Sequence, residues 1–572
     1  MRLTHALFIV FILGVAACTH EPDLPGLAHD RLVVVIEDPP RNLDPRFTTD
    51  ATSMRVSRLI FSSLVSVDNP TLRARAELAS GWEQDRADPR VWTVDLRRDL
   101  KWHDGTHFTA EDVVYTYNSV MSPELGSPFR EPYQANIAKV EAVDSYTVRF
   151  HLYAPYATFL TDLVLGIVPQ HICASNQDRF PQGRYVGTGP YRFVARHGER
   201  RIDLEAFSEA FDGVPKIKHV VFRTIKDEGT RLLALLGGSA DLMQNGVSPV
   251  LTSVLNDHPD LEVSFAPSIS FTYVALNLRD PGLADQGVRQ ALALAIPRQR
   301  IIDTHLKNRA TLATGMLAPF HWAYEPKTPT YPYDPGRARQ LLQRAGYDGV
   351  KKKLSITIKI STHRFRRTVA RSIAQAWRDV GVEADVRSYE FGTFFSDIKK
   401  GHFQAYLLDL PEPVEPDMYR WMLHGLGTPD KSPSQQESPY ARVDRRFLSP
   451  GAMDPEIAAD PQCKTWRWLA LRDATRNWVQ RAYGEDPPYS TANRMFYANP
   501  HVDCRVDLGR RYVGRTKRKP LYQEVQTLVA TDLPFIALWH PHTRVVSRKD
   551  VTGFEPLPNM RLSGLRKVKR KR

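Results

Sequence analysis

A strand–helix–strand unit in the second half of the chain constrains the fold most strongly. Residues 356–360 alternate between isoleucine and polar residues, a pattern typical of a half-buried β-strand. Apolar residues recur at helical spacing over 369–380, and Gly381 interrupts the helix before residues 382–386 alternate again. Because a strand, a helix and a second strand follow one another directly, the unit predicts a parallel strand pair and an α/β fold.

The first half of the chain has strand and helix patterns of its own. A continuous apolar run at 31–37 is typical of a strand buried on both faces, and residues 91–96 and 146–152 alternate as half-buried strands. Helical spacing occurs over 54–67 and 113–121. Since 572 residues exceed one ordinary core, these separate α/β sets predict two or three subdomains.

Capping residues mark the starts of two predicted helices, the one over 113–121 and one further along the chain. Thr109, with Asp112 three residues later, resembles an acidic capping box. Asp334 followed by Pro335 is a typical helix start, and Gly346 is a typical stop. The sequence therefore predicts one helix after Thr109 and another between Asp334 and Gly346.

The charge of the chain limits its partners. The formal net charge is +13, which on its own suits nucleic acid, an anionic membrane surface or simply a solvated basic surface. No interleaved aromatic and basic motif of the nucleic-acid-binding kind occurs, so we expect no nucleic-acid partner. The apolar fraction of 42% is sufficient for packed cores.

The N-terminus is typical of an export signal. Residues 1–17 combine Arg2 with an apolar run over 6–17 that is too short to span a bilayer as a stable helix. Small residues precede Cys18, as in the bacterial lipoprotein processing box, so we expect Cys18 to carry lipid. The alternative is an ordinary secreted protein in which Cys18 has no role. No later segment has eighteen consecutive apolar residues.

Three further cysteines and two biased segments remain. Cys173, Cys463 and Cys504 are an odd number, and a bridge between Cys463 and Cys504 is one possibility. Residues 425–462 are rich in Pro, Ser, Gly and Asp and predict a long surface loop, after which 466–482 could resume as a helix. The last twelve residues are strongly basic, and we expect them to be a disordered tail.

Motifs that would indicate an enzyme are missing. The sequence has no G-x-S-x-G, no H-E-x-x-H and no P-loop. The glycines of residues 187–191 come with a proline and no lysine, so they predict a turn rather than a phosphate cradle. His540 and His542 are separated by a proline and lack a third ligand, so we predict no metal site and no cofactor. The protein is expected not to be an enzyme.

A series of short segments forms a pattern along residues 30–560. The segments are residues 40–45, 77–82, 92–97, 101–105, 108–113, 187–191, 238–241, 273–277, 288–296, 334–347, 499–503 and 521–538. In this order they resemble the extracytoplasmic oligopeptide- and dipeptide-binding proteins of bacterial ABC importers, the family 5 type of solute-binding protein. No single segment is decisive. Residues 425–492 depart from the family pattern.

The resemblance implies an α/β fold of the large periplasmic-binding-protein type, a bilobal clamshell with an extra subdomain in the first lobe. The expected divisions are a signal peptide at 1–17, a lipidated linker at 18–30, a lobe I core at 31–73, 186–272 and 546–572, the extra subdomain at 74–185, and lobe II at 273–545 with an insertion at about 425–492. Lobes of this kind close on a solute by hinge motion, so that ligand favours the closed state.

The resemblance also implies a function. It predicts a lipid-anchored, monomeric protein on the periplasmic or extracytoplasmic face that captures short peptides and delivers them to the permease subunits of an ABC transporter. Relatives with this fold also bind nickel, haem, opines or oligosaccharides, so a non-peptide solute is the first alternative. A surface adhesin or chaperone lipoprotein without a transport role is the second.

The resemblance places candidate ligand contacts near the end of one strand. Asp409 stands where the family has an aspartate for the peptide amine, and Arg364 and Arg366 are candidates for the carboxylate because guanidinium donates in a bidentate fork. The alternatives are an aspartate that caps backbone and arginines that are merely solvated. Strands that enter a lobe boundary often line it, which adds three weaker candidates, Tyr273, Asn277 and Tyr406.

Overall fold

The computed structural model describes residues 28–68, 71–181, 183–425, 492–512 and 514–571. Its strands are β1 (Arg31–Ile36), β2 (Val65–Asp68), β3 (Arg73–Ala76), β4 (Ala79–Gln84), β5 (Val91–Leu96), β6 (Ile137–Asp144), β7 (Thr147–Leu152), β8 (Tyr191–His197), β9 (Arg201–Ala206), β10 (His219–Thr224), β11 (Leu242–Gln244), β12 (Leu261–Ala266), β13 (Phe271–Leu276), β14 (Ala310–Leu312), β15 (Ser355–Ser361), β16 (Glu383–Tyr389), β17 (Ala405–Leu410), β18 (Phe535–Pro541), β19 (Thr543–Arg548), β20 (Val551–Thr552) and β21 (Lys569–Arg570).

The α-helices connect and cover these strands. They are α1 (Ala51–Ile60), α2 (Ala110–Met121), α3 (Arg130–Gln134), α4 (Phe159–Asp162), α5 (Gln170–Cys173), α6 (Glu228–Leu236), α7 (Thr252–Asn256), α8 (Gln286–Ala295), α9 (Arg298–His305), α10 (Pro335–Arg344), α11 (Arg364–Arg378), α12 (Phe391–Lys399), α13 (Met418–Leu423), α14 (Pro500–Arg511) and α15 (Arg515–Asp532).

One seven-stranded sheet, in the order β12-β19-β11-β1-β10-β9-β8, organises what we call lobe I. The apolar run that predicts a strand is β1, which pairs in parallel with β10 and β11 and buries Leu32 through Val35. Strand β19 lies between β11 and β12 and is antiparallel to both. Lobe I is therefore completed by a segment that comes near the end of the chain.

A four-stranded antiparallel sheet, β4-β5-β7-β6, forms an additional layer beside lobe I. We call this sheet, with α2 packed on it, the side subdomain. The predicted capping box is present, because the Thr109 N–H donates to Asp112 Oδ2 at 3.0 Å. The same oxygen accepts from buried Trp102 Nε1 at 3.2 Å, so the cap also anchors α2 to the subdomain core.

A six-stranded mixed sheet, β14-β18-β13-β17-β15-β16, organises what we call lobe II. The strand–helix–strand prediction is confirmed, since β15 and β16 are parallel neighbours joined by α11. Strand β13 is buried along its whole length. Helix α10 begins as predicted, with Asp334 accepting from the Arg337 N–H at 2.8 Å, and Gly346 follows it at φ +86°.

The glycine-rich segment at 187–191 is a close crossing of two backbones. The Gly189 N–H donates to the Ile60 carbonyl at 2.8 Å, just where α1 ends. A Cβ on Gly187 would overlap the same carbonyl oxygen, and a Cβ on Gly189 would overlap that of Leu59. The chain bends at 188–190, and the contact requires glycine at positions 187 and 189.

Two predictions differ from the structure. The helical pattern at 54–67 yields helix only as far as Ile60, because β2 begins at Val65 and pairs with β3. The C-terminal segment is not a disordered tail. Leu565 and Val568 are fully buried, and Arg570 forms an ion pair with Asp241 at 2.6 Å. The disorder prediction counted basic residues and overlooked the apolar residues between them.

Several predictions concern residues that lie outside the described part of the chain. These are the signal peptide, Cys18 and nearly all of the 425–492 insertion. Cys504 is disulfide-bonded. Its predicted partner, Cys463, is also outside the described residues, so that pairing stays a prediction, while Cys173 is buried as a free thiol.

Candidate functional site

The two lobes contact each other through charged side chains on either side of the end of β17. At one place, His363 Nε2, just before α11 of lobe II, lies 3.9 Å from Glu37 Oε1 at the end of β1. At the other, Glu412 of lobe II lies 3.2 Å from Arg58 of α1 and 3.4 Å from Arg561. The stretch of boundary between these contacts is the candidate site.

Asp409 and Arg366 form an ion pair within this stretch. Arg366 Nη2 donates to Asp409 Oδ2 at 2.7 Å, and Arg366 Nη1 donates to Ser361 Oγ at 2.6 Å. The Thr272 hydroxyl donates to the other carboxylate oxygen, Oδ1, at 2.6 Å. Burial alone would raise the pKa of Asp409, but the Arg366 charge and the Thr272 hydrogen bond outweigh it, so the pKa is lowered. Asp409 is therefore an ionised carboxylate, 38% exposed, with partners on both oxygens.

The structure separates the two arginine candidates. Both lie in the first turn of α11, which His363 caps by accepting the Arg366 N–H at 3.4 Å. Arg366 turns to Asp409, whereas Arg364 is exposed. The ion pair with the aspartate candidate is thus made by one of the two arginines.

The three weaker candidates lie in the packed interior of lobe II. Tyr273 is 3% exposed and Tyr406 1% exposed, with their ring centroids 6.0 Å apart in one aromatic cluster. Asn277 donates its side-chain amide to the carbonyls of Gly401 and Phe403. In this conformation all three hold β13 and its neighbouring segments together.

Sequence analysis missed Glu412 and its partners. Burial raises the pKa of Glu412, but Arg58, Arg561 and Arg55 outweigh it, so the pKa is lowered and the carboxylate is ionised. The sequence pattern that could have identified Glu412 is an acidic residue between two prolines directly after a predicted strand. Ligands of α/β sheets bind beyond the ends of strands, so a charged residue in this position is a candidate. Its arginine partners could not be found this way, because they lie far away along the chain.

A third contact joins the side subdomain to lobe II. The Arg510 guanidinium of α14 lies 4.1 Å from the ring centroid of Tyr156, and the Arg510 carbonyl accepts from the Ala157 N–H at 2.7 Å. Tyr156 donates to Asp162 Oδ2 at 2.5 Å. Burial raises the pKa of Asp162 to about 7. The lobe boundary thus includes a carboxyl group that titrates near neutral pH.

Two cavities lie away from the boundary. One of about 290 Å³ is near the C-terminal ends of α10 and α11, and one of about 340 Å³ is beside α2. Neither is lined by a candidate ligand residue. Within the described residues, no group of three or more His, Cys, Asp or Glu side chains could hold a metal ion. His540 instead contacts the Ser270 carbonyl at 3.0 Å.

No helix in the described ranges is both long and apolar enough to cross a membrane.

Comparison with known proteins gives consistent results. A profile described as bacterial extracellular solute-binding proteins, family 5 middle region, matches residues 73–441. The glutathione-binding protein GsiB of Salmonella choleraesuis is 26% identical over 94% of each chain, and a dipeptide-binding protein of Pseudomonas aeruginosa is 24% identical over 93% of each.

Solved structures show the same architecture. The oligopeptide-binding protein AppA of Bacillus subtilis, solved with a nonapeptide, superposes with a TM-score of 0.75 at 20% identity over 95% of this chain and 99% of that chain. NikZ of Campylobacter jejuni, solved with Ni(L-His), also gives a TM-score of 0.75, at 21% identity over 95% of this chain and all of that chain. The expected bilobal clamshell fold is thereby confirmed.

Proposed function

The chain belongs to the bacterial extracellular solute-binding proteins of family 5, and from that membership we propose that it captures short peptides and delivers them to the permease of an ABC transporter. The family is one of solute-binding proteins rather than enzymes. The observation that carries the proposal is the set of charged contacts between the lobes on both sides of Asp409. A solute enclosed there would touch both lobes and favour closure.

The candidate residues have distinct proposed roles. Asp409 accepts the peptide ammonium, while Arg366 and Arg364 offer guanidinium forks to a carboxylate. Thr272 and Ser361 hold the Asp409–Arg366 pair in place by hydrogen bonds. Tyr273, Asn277 and Tyr406 support the strands that present these groups. Peptide main chain pairing with strand edges would then tolerate many side chains.

The rest of the proposal concerns placement in the cell and domain organisation. Cys18 carries lipid that tethers a monomer to a membrane on its extracytoplasmic side. Lobe I comprises 31–73, 186–272 and 546–572, the side subdomain 74–185, and lobe II 273–545. These divisions are supported by the three sheets, with small offsets, since β13 starts at Phe271 and β19 at Thr543.

The second candidate is the same capture role for a non-peptide solute. It is supported by the solved relative that holds Ni(L-His) and by one solved with agropinic acid. Histidine contains an amino and a carboxylate group, so a similar charged boundary could serve a solute of that kind.

The test uses purified full-length protein with its lipid anchor removed by the Cys18→Ser change. Native mass spectrometry after incubation with a mixture of di- to pentapeptides should show retained peptide, and small-angle scattering should show a smaller radius of gyration with peptide present. Retention of Ni(L-His) or an opine with no peptide bound would favour the second candidate. An unchanged shape with every solute would contradict clamshell capture.

A further inference from the structure

Three arginines meet where α1, the segment after β17 and the C-terminal segment converge, and one carboxylate pairs with them directly. Arg58 and Arg561 both contact Glu412, at 3.2 and 3.4 Å. Arg55, one helical turn before Arg58, adds a third guanidinium whose charge also acts on Glu412. We call Arg55, Arg58 and Arg561 the arginine cluster. Among the described residues, Glu412 is therefore the one carboxylate that forms ion pairs with the cluster, and it does so with two of the three arginines.

Two donors of the cluster are poorly satisfied. Arg561 is 9% exposed, and its Nε has no hydrogen-bond partner among the described residues. A buried N–H without an acceptor is costly, so such a group requires an explanation. The Arg55 guanidinium donates at 3.6 Å to the sulfur of Met560, which is a weak acceptor. Burial lowers the pKa of Arg561 and of Arg55, which means that their surroundings compensate their charge incompletely.

Two further carboxylates act on the cluster without forming an ion pair with it. Asp50 acts on Arg55, but it accepts the Ser53 N–H as the N-cap of α1. Glu77 lies close enough to Arg561 to interact with it, but its carboxylate accepts from the Ser63 hydroxyl and backbone N–H. Burial raises the pKa of Glu77, so its ionised form is itself disfavoured. Asn559, two residues before Arg561, contributes another buried amide N–H without a partner in the described ranges.

The backbone beside the cluster is held in an unusual conformation. Met560 and Asn245 both have φ of +58°, a region that non-glycine residues rarely adopt. The Asn245 amide lies 3.1 Å from the Met560 sulfur, and Gln244 donates to the Met560 carbonyl at 2.7 Å. Such strain persists where surrounding contacts enforce it, and it clusters at ligand-binding positions.

We propose that the arginine cluster binds a side-chain carboxylate of the captured peptide, so that the preferred ligand is an acidic peptide. The inference rests on the proposed peptide-binding function. A carboxylate placed against Arg55 and Arg561 would provide acceptors for the unpartnered donors, and planar guanidinium groups match a carboxylate in a bidentate manner. Since Glu412 comes from lobe II and the cluster from lobe I, the anion would be held where the two lobes meet.

The experiment compares two matched tripeptides, Ala-Glu-Ala and Ala-Gln-Ala, by isothermal titration calorimetry at pH 7. The wild-type protein should bind Ala-Glu-Ala at least tenfold more tightly. Arg55→Gln should reduce that preference to less than threefold, because it weakens the binding of Ala-Glu-Ala. The control Arg387→Gln removes an arginine that is 63% exposed in an ion pair on lobe II, and it should retain the full preference. Equal affinities for the two peptides in the wild-type protein would overturn the inference.

A second measurement separates this inference from the proposed function. If neither tripeptide binds, peptide capture fails as a function, and the cluster is then probed with succinate and with inorganic phosphate by thermal unfolding. A rise in Tm with succinate in the wild-type protein, absent in Arg55→Gln, would keep the anion site. A rise with phosphate alone would replace the carboxylate assignment, and no rise with either would remove the site.

Discussion

Arg366 Nη2 donates to Asp409 Oδ2 at 2.7 Å. This hydrogen bond links the first turn of α11, the helix between β15 and β16, to the C-terminal end of β17. The pair neutralises the charge of both groups before any ligand arrives. A bound ammonium would add a second cation beside Asp409, whose carboxylate is 38% exposed and still accessible. In the proposed site, the pair would set how strongly Asp409 attracts the ammonium of a ligand.

Replacement of the aspartate tests this role. Asp409→Asn keeps the shape of the side chain but leaves Arg366 without its anion, so peptide affinity should fall at least tenfold, about 1.4 kcal/mol. The loss of binding free energy is expected to be smaller than the roughly 3–5 kcal/mol typical of breaking a fully buried ion pair, because solvent screens a partly exposed pair. Calorimetry with one tripeptide measures it.

The matched control is Asp385→Asn on the same lobe. Asp385 pairs with Arg387 at 3.3 Å but both side chains are well exposed, so affinity should stay within twofold of wild type. Unchanged affinity in Asp409→Asn would take this residue out of the ligand site.

The stability of the protein should depend on Asp162 between acidic and neutral pH. The pKa of Asp162 is raised from 3.8 to about 7 by burial, so the folded state holds a proton there that the unfolded state releases. Stability contributed by the neutral acid is present below about pH 4 and is lost as the pH rises towards about 7. Tyr156, Arg510, Asp417 and Glu415 surround the group and fix this balance.

Urea unfolding at pH 5 and pH 8 measures the effect. Asp162→Asn, which is neutral throughout, should reduce the loss of unfolding free energy between these pH values by about 1–3 kcal/mol, allowing for partial solvent contact. Asp303→Asn, at an exposed position of α9, should leave the loss unchanged. Identical pH profiles for Asp162→Asn and wild type would refute the assignment.

A methyl group at Gly187 should destabilise lobe I. Its Cβ would overlap the Ile60 carbonyl oxygen, a backbone atom that cannot rotate away. We expect Gly187→Ala to lower the free energy of unfolding by at least about 1 kcal/mol. Gly81→Ala is the control, because nothing lies within 4 Å of its added Cβ. A urea midpoint equal to wild type would contradict the close crossing.

Loss of the lipidated cysteine should release the protein from membranes. Cys18→Ser removes the sulfur that would carry lipid, so the protein should move from the membrane fraction to the soluble fraction. Cys173→Ser, which changes a buried thiol, should stay with the membranes. Immunoblots of separated fractions show the outcome, and a membrane-bound Cys18→Ser protein would argue for an ordinary secreted form.

Local patterns predicted the elements whose residues signal their own structure. The alternation at 356–360, the capping residues Thr109 and Asp112, and the start of α10 at Asp334 all report contacts within a few residues. The helix prediction over 54–67 was too long because helical spacing cannot show that β2 takes over at Val65.

Contacts between distant segments were beyond the reach of such patterns. The resemblance placed Asp409 at a strand end, but its partner among the arginines became visible only in the fold. Glu412 and Arg58 are 354 positions apart, and no local periodicity connects them. The ion pair between Arg570 and Asp241 likewise joins segments that are far apart in sequence, so the basic pattern of the C-terminal segment could not reveal it.

The position of β19 has a consequence for the order of assembly. This strand occupies the interior of the lobe I sheet, between β11 and β12, yet it follows every strand of lobe II along the chain. Among the described residues, the lobe II sheet has all six of its strands once Pro541 is present, whereas the lobe I sheet lacks an interior strand until Arg548 is added. The strands of the lobe II sheet are therefore complete in the chain before those of the lobe I sheet, although most of lobe I comes earlier in sequence.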